Sequence, residues 1–190
     1  MIAGEANMGT LRLLISKPIS RGSLMLSKFL ASIMYTLLLL VWMAFLSMVV
    51  SLMIFGVGDL MIFKSEAIVI LKSSDIMWRY YCCFGFAAIA MTTVASLAFL
   101  LSIFADNSIG PIITTMSIII VLTILTSMDL PLFKSMKPYI FTSHMLGWKG
   151  FLDDPINYDS VMKSAGILIL HIVFFVSAAI IIFKKKDILS

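Results

Sequence analysis

Four stretches without a charged side chain decide what this chain can become. Thirty uncharged residues separate Lys28 from Asp59, 26 separate Arg79 from Asp106, 22 separate Asp106 from Asp129, and 20 separate Lys163 from Lys184. A helix needs about 20 mostly apolar residues to cross the hydrocarbon of a bilayer, and all four runs are long enough. Backbone placed in lipid must satisfy its own N–H and C=O groups, which a helix does and an open strand does not. The expectation is an all-α membrane protein with transmembrane helices near 29–57, 80–104, 109–128 and 164–183, so that residues 21–190 form the transmembrane domain. Composition agrees. Of 190 residues 61% are hydrophobic and 13% charged, with mean hydropathy +1.09, leaving too little polar surface to cover a soluble core.

The second and third spans are separated only by "FADNSIGPI", which reads as a tight hairpin with Pro111 in the first turn of the next helix. Four crossings put both ends of the chain on one side. The Lys and Arg count is equal on the two sides, but Lys184, Lys185 and Lys186 abut the fourth span directly, where positive charge weighs most. Both termini are therefore expected in the cytoplasm of a multi-pass cell-membrane protein. The opening "MIAGEANMGT" is polar and carries Glu5, unlike the basic-then-apolar start of a secretory signal. The net charge of +4 is scattered over ends and loops, so no nucleic-acid partner is expected and the lipid bilayer is. Cys82 and Cys83 are adjacent and point apart on a helix, which argues against a disulfide between them.

Two long loops would face outward. The first contains "EAIVILK", a short interfacial or strand-like piece, followed by Trp78, Tyr80 and Tyr81 at the expected depth of the lipid headgroups. The second, from Met128 to Lys163, is broken by prolines and rich in rings from Phe133 to Phe151. It is too interrupted to cross and is expected either against the outer membrane surface or as a solvated loop.

Chemistry-bearing motifs are absent. No G-x-x-x-x-G-K-[ST] phosphate loop, H-E-x-x-H, G-x-S-x-G or CxxC occurs, so no catalytic residue, metal or cofactor is assigned. Asp153-Asp154 beside Pro155 reads as a turn. His171 is the only Asp, Glu, Lys, Arg or His inside a span, and an ionisable group at that depth marks a candidate site. The commoner role is a neutral histidine bonded to a neighbouring helix. Proton-driven carriers depend on intramembrane carboxylates, and none is present; energy for any transport must come from outside the spans. Ala88, Thr92 and Ser96 form a small-xxx-small ridge, and Thr114, Thr115, Ser117, Thr123 and Thr126 punctuate the third span, both read as packing surfaces.

The first twenty residues differ from the rest. On a helical wheel Glu5, Gly9, Arg12 and Ser16 share one face, while Met8, Leu11 and Ile15 share another with Leu14 beside them. Such a helix lies along a membrane surface. Pro18 ends it, and Ser20 is placed to cap the next helix. A polar-faced rod leading into a span is either a plain anchor or a surface on which a soluble partner can push.

These residues resemble a known family. Gly4, Glu5, Gly9, Thr10, Leu11, Leu14, Pro18, Ile19, Ser20, Arg21 and Lys28 match the "GE…GTL…PISR…K" segment of type-2 ATP-binding-cassette (ABC) exporter permeases, and "IIFKKKDILS" is similar to that family's usual ending. The resemblance implies that residues 1–20 form a cytoplasmic coupling helix and proline break touching a separate ATP-binding subunit, so that the chain is a permease rather than an enzyme. It implies ATPase-subunit docking by Glu5, Gly9, Thr10, Arg12, Ser16, Pro18 and Arg21. It further implies a second permease subunit, the same chain or another. Family members carry about two more spans before this segment, and this chain begins three residues before it. The alternative is a non-transporting membrane scaffold or accessory protein whose first helix only anchors it.

Overall fold

A computed structural model describes residues 20–63, 68–105, 107–128 and 135–185. Four long helices dominate it: α1 (Arg21–Phe55), α2 (Ser73–Leu101), α3 (Ile109–Ser127) and, after a folded connection, α5 (Tyr158–Lys185). Each is long and apolar enough to cross a membrane. The protein is an all-α membrane protein, with four such helices among the described residues. The helices overrun the charge-delimited segments, because Arg79 and Lys163 lie inside α2 and α5 rather than beyond their ends. With 35 residues, α1 is about 52 Å long at ~1.5 Å per residue, well above the ~30 Å hydrocarbon thickness.

Local chemistry explains the helix boundaries. Ser20 has extended φ/ψ and its Oγ accepts from Ser23 N–H at 3.1 Å, capping α1 as its side chain suggested. At the other end Gly56 takes φ 71°, a left-handed conformation open to glycine, and its N–H bonds Leu52 O. Asn107 Oδ1 receives Gly110 N–H at 2.8 Å at the start of α3. Asp59 Oδ1 receives Ser73 N–H at 2.9 Å, so a residue after α1 caps the start of α2.

Between α1 and α2 the chain forms an antiparallel hairpin, β1 (Leu60–Phe63) with β2 (Ile68–Leu71), Leu60 opposite Leu71 and Phe63 opposite Ile68. Of the two readings of "EAIVILK", the strand-like one matches β2 at Ile68–Leu71. Between α3 and α5 lie a 3₁₀ turn (Lys137–Tyr139), the one-turn helix α4 (Phe141–His144) and a longer 3₁₀ segment (Met145–Leu152). The described part of this connection packs against the helices. It folds inward: Phe141 joins Phe86, Ala90, Leu97, Val161 and Leu168 in one buried cluster of α2 and α5. A second cluster, Met25, Phe29, Phe99, Ile103, Ala179 and Phe183, ties the start of α1 to the ends of α2 and α5.

Helix α2 is the hub, packing on α1, α3, α5 and the 3₁₀ segment. Its buried stripe includes Ala90, Thr93, Ser96 and Leu97, so the small-residue ridge is rotated from Ala88–Thr92–Ser96 and shares only Ser96 with it. Thr92 and Thr93 donate to Ala88 O and Ile89 O of their own helix, and Thr114 and Thr115 of α3 to Gly110 O and Pro111 O. Hydroxyls satisfied this way let helices approach without cross-helix bonds, which fits the packing role.

Candidate functional site

The bundle has two ends of different construction. At the first, Gly22 opens α1 against the close of α5: a Cβ built on it would lie 3.2 Å from Lys184 Cε. Phe29 and Phe99 meet at 5.4 Å between ring centroids, and Ile103 adds the turn that follows α2. The entry to α1, the α2–α3 turn and the close of α5 are thus fixed to one another by a single apolar cluster. Six of the expected docking residues, Glu5, Gly9, Thr10, Arg12, Ser16 and Pro18, lie outside the described residues. Arg21 is the first residue of α1, and its side chain is likewise outside the description.

The opposite end is closed by the folded connection. Arg79, 6% exposed, points from α2 into it. Its Nη1 donates to Asp153 O at 2.7 Å and Phe151 O at 3.1 Å, and Nη2 approaches Asp154 Oδ1 at 3.7 Å. The Asp154 side chain is 61% exposed, so the two part-buried carbonyl bonds outweigh that ion pair. Trp78 covers the guanidinium at 5.7 Å. Cys83 donates to Trp148 O at 3.6 Å, one turn further along α2.

His144 holds the same connection from α4. Its Nε2 lies 3.0 Å from Pro138 O and its Nδ1 3.0 Å from Ser164 Oγ of α5. A carbonyl only accepts, so Nε2 carries the proton and in the neutral ring Nδ1 accepts from Ser164. Two glycines make the close approach possible. A Cβ on Gly147 would sit 2.6 Å from Phe86 Cζ and 3.0 Å from Ser164 Cβ, and one on Gly150 would sit 2.6 Å from Val161 Cγ2. Sequence reasoning took Arg79 as a span boundary and passed over His144; the glycine pair among aromatics was the available signal.

Tyr80 joins two helices. Its hydroxyl donates to Ala44 O at 2.6 Å and lies 2.6 Å from Ser47 Oγ, fastening α2 to α1. His171 departs from its expected partner: its Nδ1 lies 2.8 Å from Ile167 O in its own helix, not in a neighbour. Among the described residues no group of three His, Cys, Asp or Glu side chains is placed to hold a metal ion.

With this arrangement in view, comparison places the chain. Residues 1–189 match the family model described as "Protein of unknown function (DUF2705)". The chain belongs to that family. Among curated proteins, the DUF2705 chain is similar to "Uncharacterized protein YhcI" of Bacillus subtilis (strain 168), 26% identical over 196 residues. The match covers 99% of this chain and 61% of the relative, so the chain spans about three-fifths of the relative's length. No solved structure matches.

Proposed function

We propose that this DUF2705 chain is the membrane-spanning permease subunit of an ATP-driven exporter, with ATP hydrolysis on a separate subunit that docks on residues 4–21. The observation that carries the reading is the apolar junction of Met25, Phe29, Phe99, Ile103, Ala179 and Phe183. It sits directly after the segment that resembles an exporter coupling helix, and it supplies the rigid transmission a coupling helix requires. The proposed orientation puts both termini and the α2–α3 turn in the cytosol and the Arg79-fastened connection outside. The absence of carboxylates from the span interiors supports an external energy source. A second permease subunit completes the assembly.

The test is purification of the tagged chain from its native membrane, followed by ATP hydrolysis in nanodiscs. The wild-type chain is expected to bring an ATP-binding subunit with it and to change that subunit's hydrolysis rate. Glu5→Ala and Arg12→Glu are expected to reduce the association about tenfold, the loss of ~1.4 kcal/mol. Association untouched by both substitutions refutes docking there. Association without any change in hydrolysis identifies the scaffold instead.

A further inference from the structure

We infer that His171 is the hydrogen-bonding point of a binding site for a membrane-dissolved amphiphile: an apolar ring or chain bearing one O–H or N–H donor. A cavity of ≈ 410 Å³ lies between α3 and α5 beneath the folded connection, with Leu122, Phe141, Leu170, His171, Phe174 and Phe175 in its wall. That volume suits a small organic molecule rather than a polymer segment. Leu170 and Phe174 on its rim are 67% and 62% exposed, so the cavity opens sideways, toward the acyl chains that surround a spanning helix. A ligand therefore enters from the bilayer.

The donor requirement comes from the histidine. Ile167 O can only accept, so Nδ1 of His171 must carry its proton in the neutral ring. Nε2 is then a bare acceptor, and among the described residues it has no partner. The ring is held in this orientation by Phe141 and Phe175, each 5.8 Å away between centroids. It sits midway along α5, thirteen residues after Tyr158 and fourteen before Lys185, where water is scarce. A fixed acceptor in a wall that is otherwise apolar apart from the Tyr139 hydroxyl favours a ligand that donates one hydrogen bond at His171 and presents mostly hydrocarbon elsewhere. His144, at the end of the bundle, has the opposite tautomer and both nitrogens engaged. The inference goes beyond the exporter reading and does not need it, because it concerns binding to this chain alone.

The chain has two histidines, so ¹⁵N-histidine labelling of the full chain in lipid nanodiscs gives resolvable signals, with His144→Gln supplying the assignment. The probes are 1-naphthol, a donor, and 1-methoxynaphthalene, its non-donating ether. The expected result is an Nδ1–H tautomer at His171 before addition. On titration with 1-naphthol its Nε2 resonance moves saturably, and 1-naphthol binds about 5-fold tighter than the ether, a difference of about 1 kcal/mol. In His171→Phe that preference disappears; circular dichroism verifies that the helices persist. Equal binding of the two probes to wild type overturns the site, and that comparison needs no variant. An Nε2–H tautomer at His171, or a shift confined to His144, overturns it equally.

Discussion

Replacing Arg79 with leucine is the sharpest perturbation of the closure formed by the folded connection. The substitution removes the Nη1 donor that Phe151 O and Asp153 O hold at 3.1 and 2.7 Å in a half-buried setting. Hydrogen bonds to a charged group contribute about 1.5–3 kcal/mol each, and two of them sharing one nitrogen, with partial rescue by water, leave a loss of about 3 kcal/mol. That loss falls on docking of the connection rather than on the helices, whose backbone bonds are their own. Opening is read through Cys83, whose thiol is tied to Trp148 O in the docked state. In a Cys82→Ser background Cys83 is the sole thiol. Its reaction with N-ethylmaleimide reports the open fraction when closing is fast. At ~1.4 kcal/mol per factor of ten, Arg79→Leu is expected to speed modification about 100-fold, up to the rate of a free thiol. Asp154→Asn removes only an exposed partner and is expected to change the rate less than about threefold. If Arg79→Leu changes the rate no more than Asp154→Asn does, the clasp is not what holds this end shut.

Other outcomes follow from the same contacts. Gly147→Ala places a methyl group 2.6 Å from Phe86 Cζ and is expected to cost about 1–3 kcal/mol of docking, again seen at Cys83. Phe86→Leu in the same chain should recover part of that loss, and simple additivity of the two would contradict the proposed overlap. Asp59→Ala removes the acceptor for Ser73 N–H and is expected to cost about 1 kcal/mol at that helix start. Hydrogen exchange should then quicken in the first turn of α2 and nowhere deeper. Gly22→Leu intrudes on Lys184 and is expected to weaken packing of α1 on α5, measured as a lower melting temperature in detergent.

The four long helices were legible because charge is costly in hydrocarbon, and an apolar run of 20 or more residues without one is rare outside a bilayer. Their true ends were not, because the same rule treats every charge as a boundary. Arg79 lies inside α2, where two backbone carbonyls stand in for water, and no count of charges foresees that compensation. The Ser20 cap and the role of Pro111 near the start of α3 follow from local stereochemistry and could be read directly. The connection from Lys137 to Leu152 could not. Pro138 and its two glycines mark it as non-spanning, but the burial of Phe141 and the approach of Gly147 to Phe86 depend on α2 and α5, distant in sequence. His171 was legible as a candidate, and its tautomer was not, since Ile167 O is an acceptor available on any helix. The residues with the clearest resemblance to exporter permeases, 4–18, lie outside the described ones, so the proposed docking surface rests on sequence pattern and on the junction it leads into.

In the proposed exporter, an ATP-binding subunit grips the segment before α1. Photocrosslinking in the native membrane probes that grip at its point of contact, with benzoyl-phenylalanine placed at Arg12 and, separately, at Tyr139 on the opposite end of the bundle. The expected result is an adduct from position 12 whose mass-spectrometric sequence contains a phosphate-binding loop, and no such adduct from position 139. An ATP-binding protein captured from position 139, or from neither, contradicts the proposal.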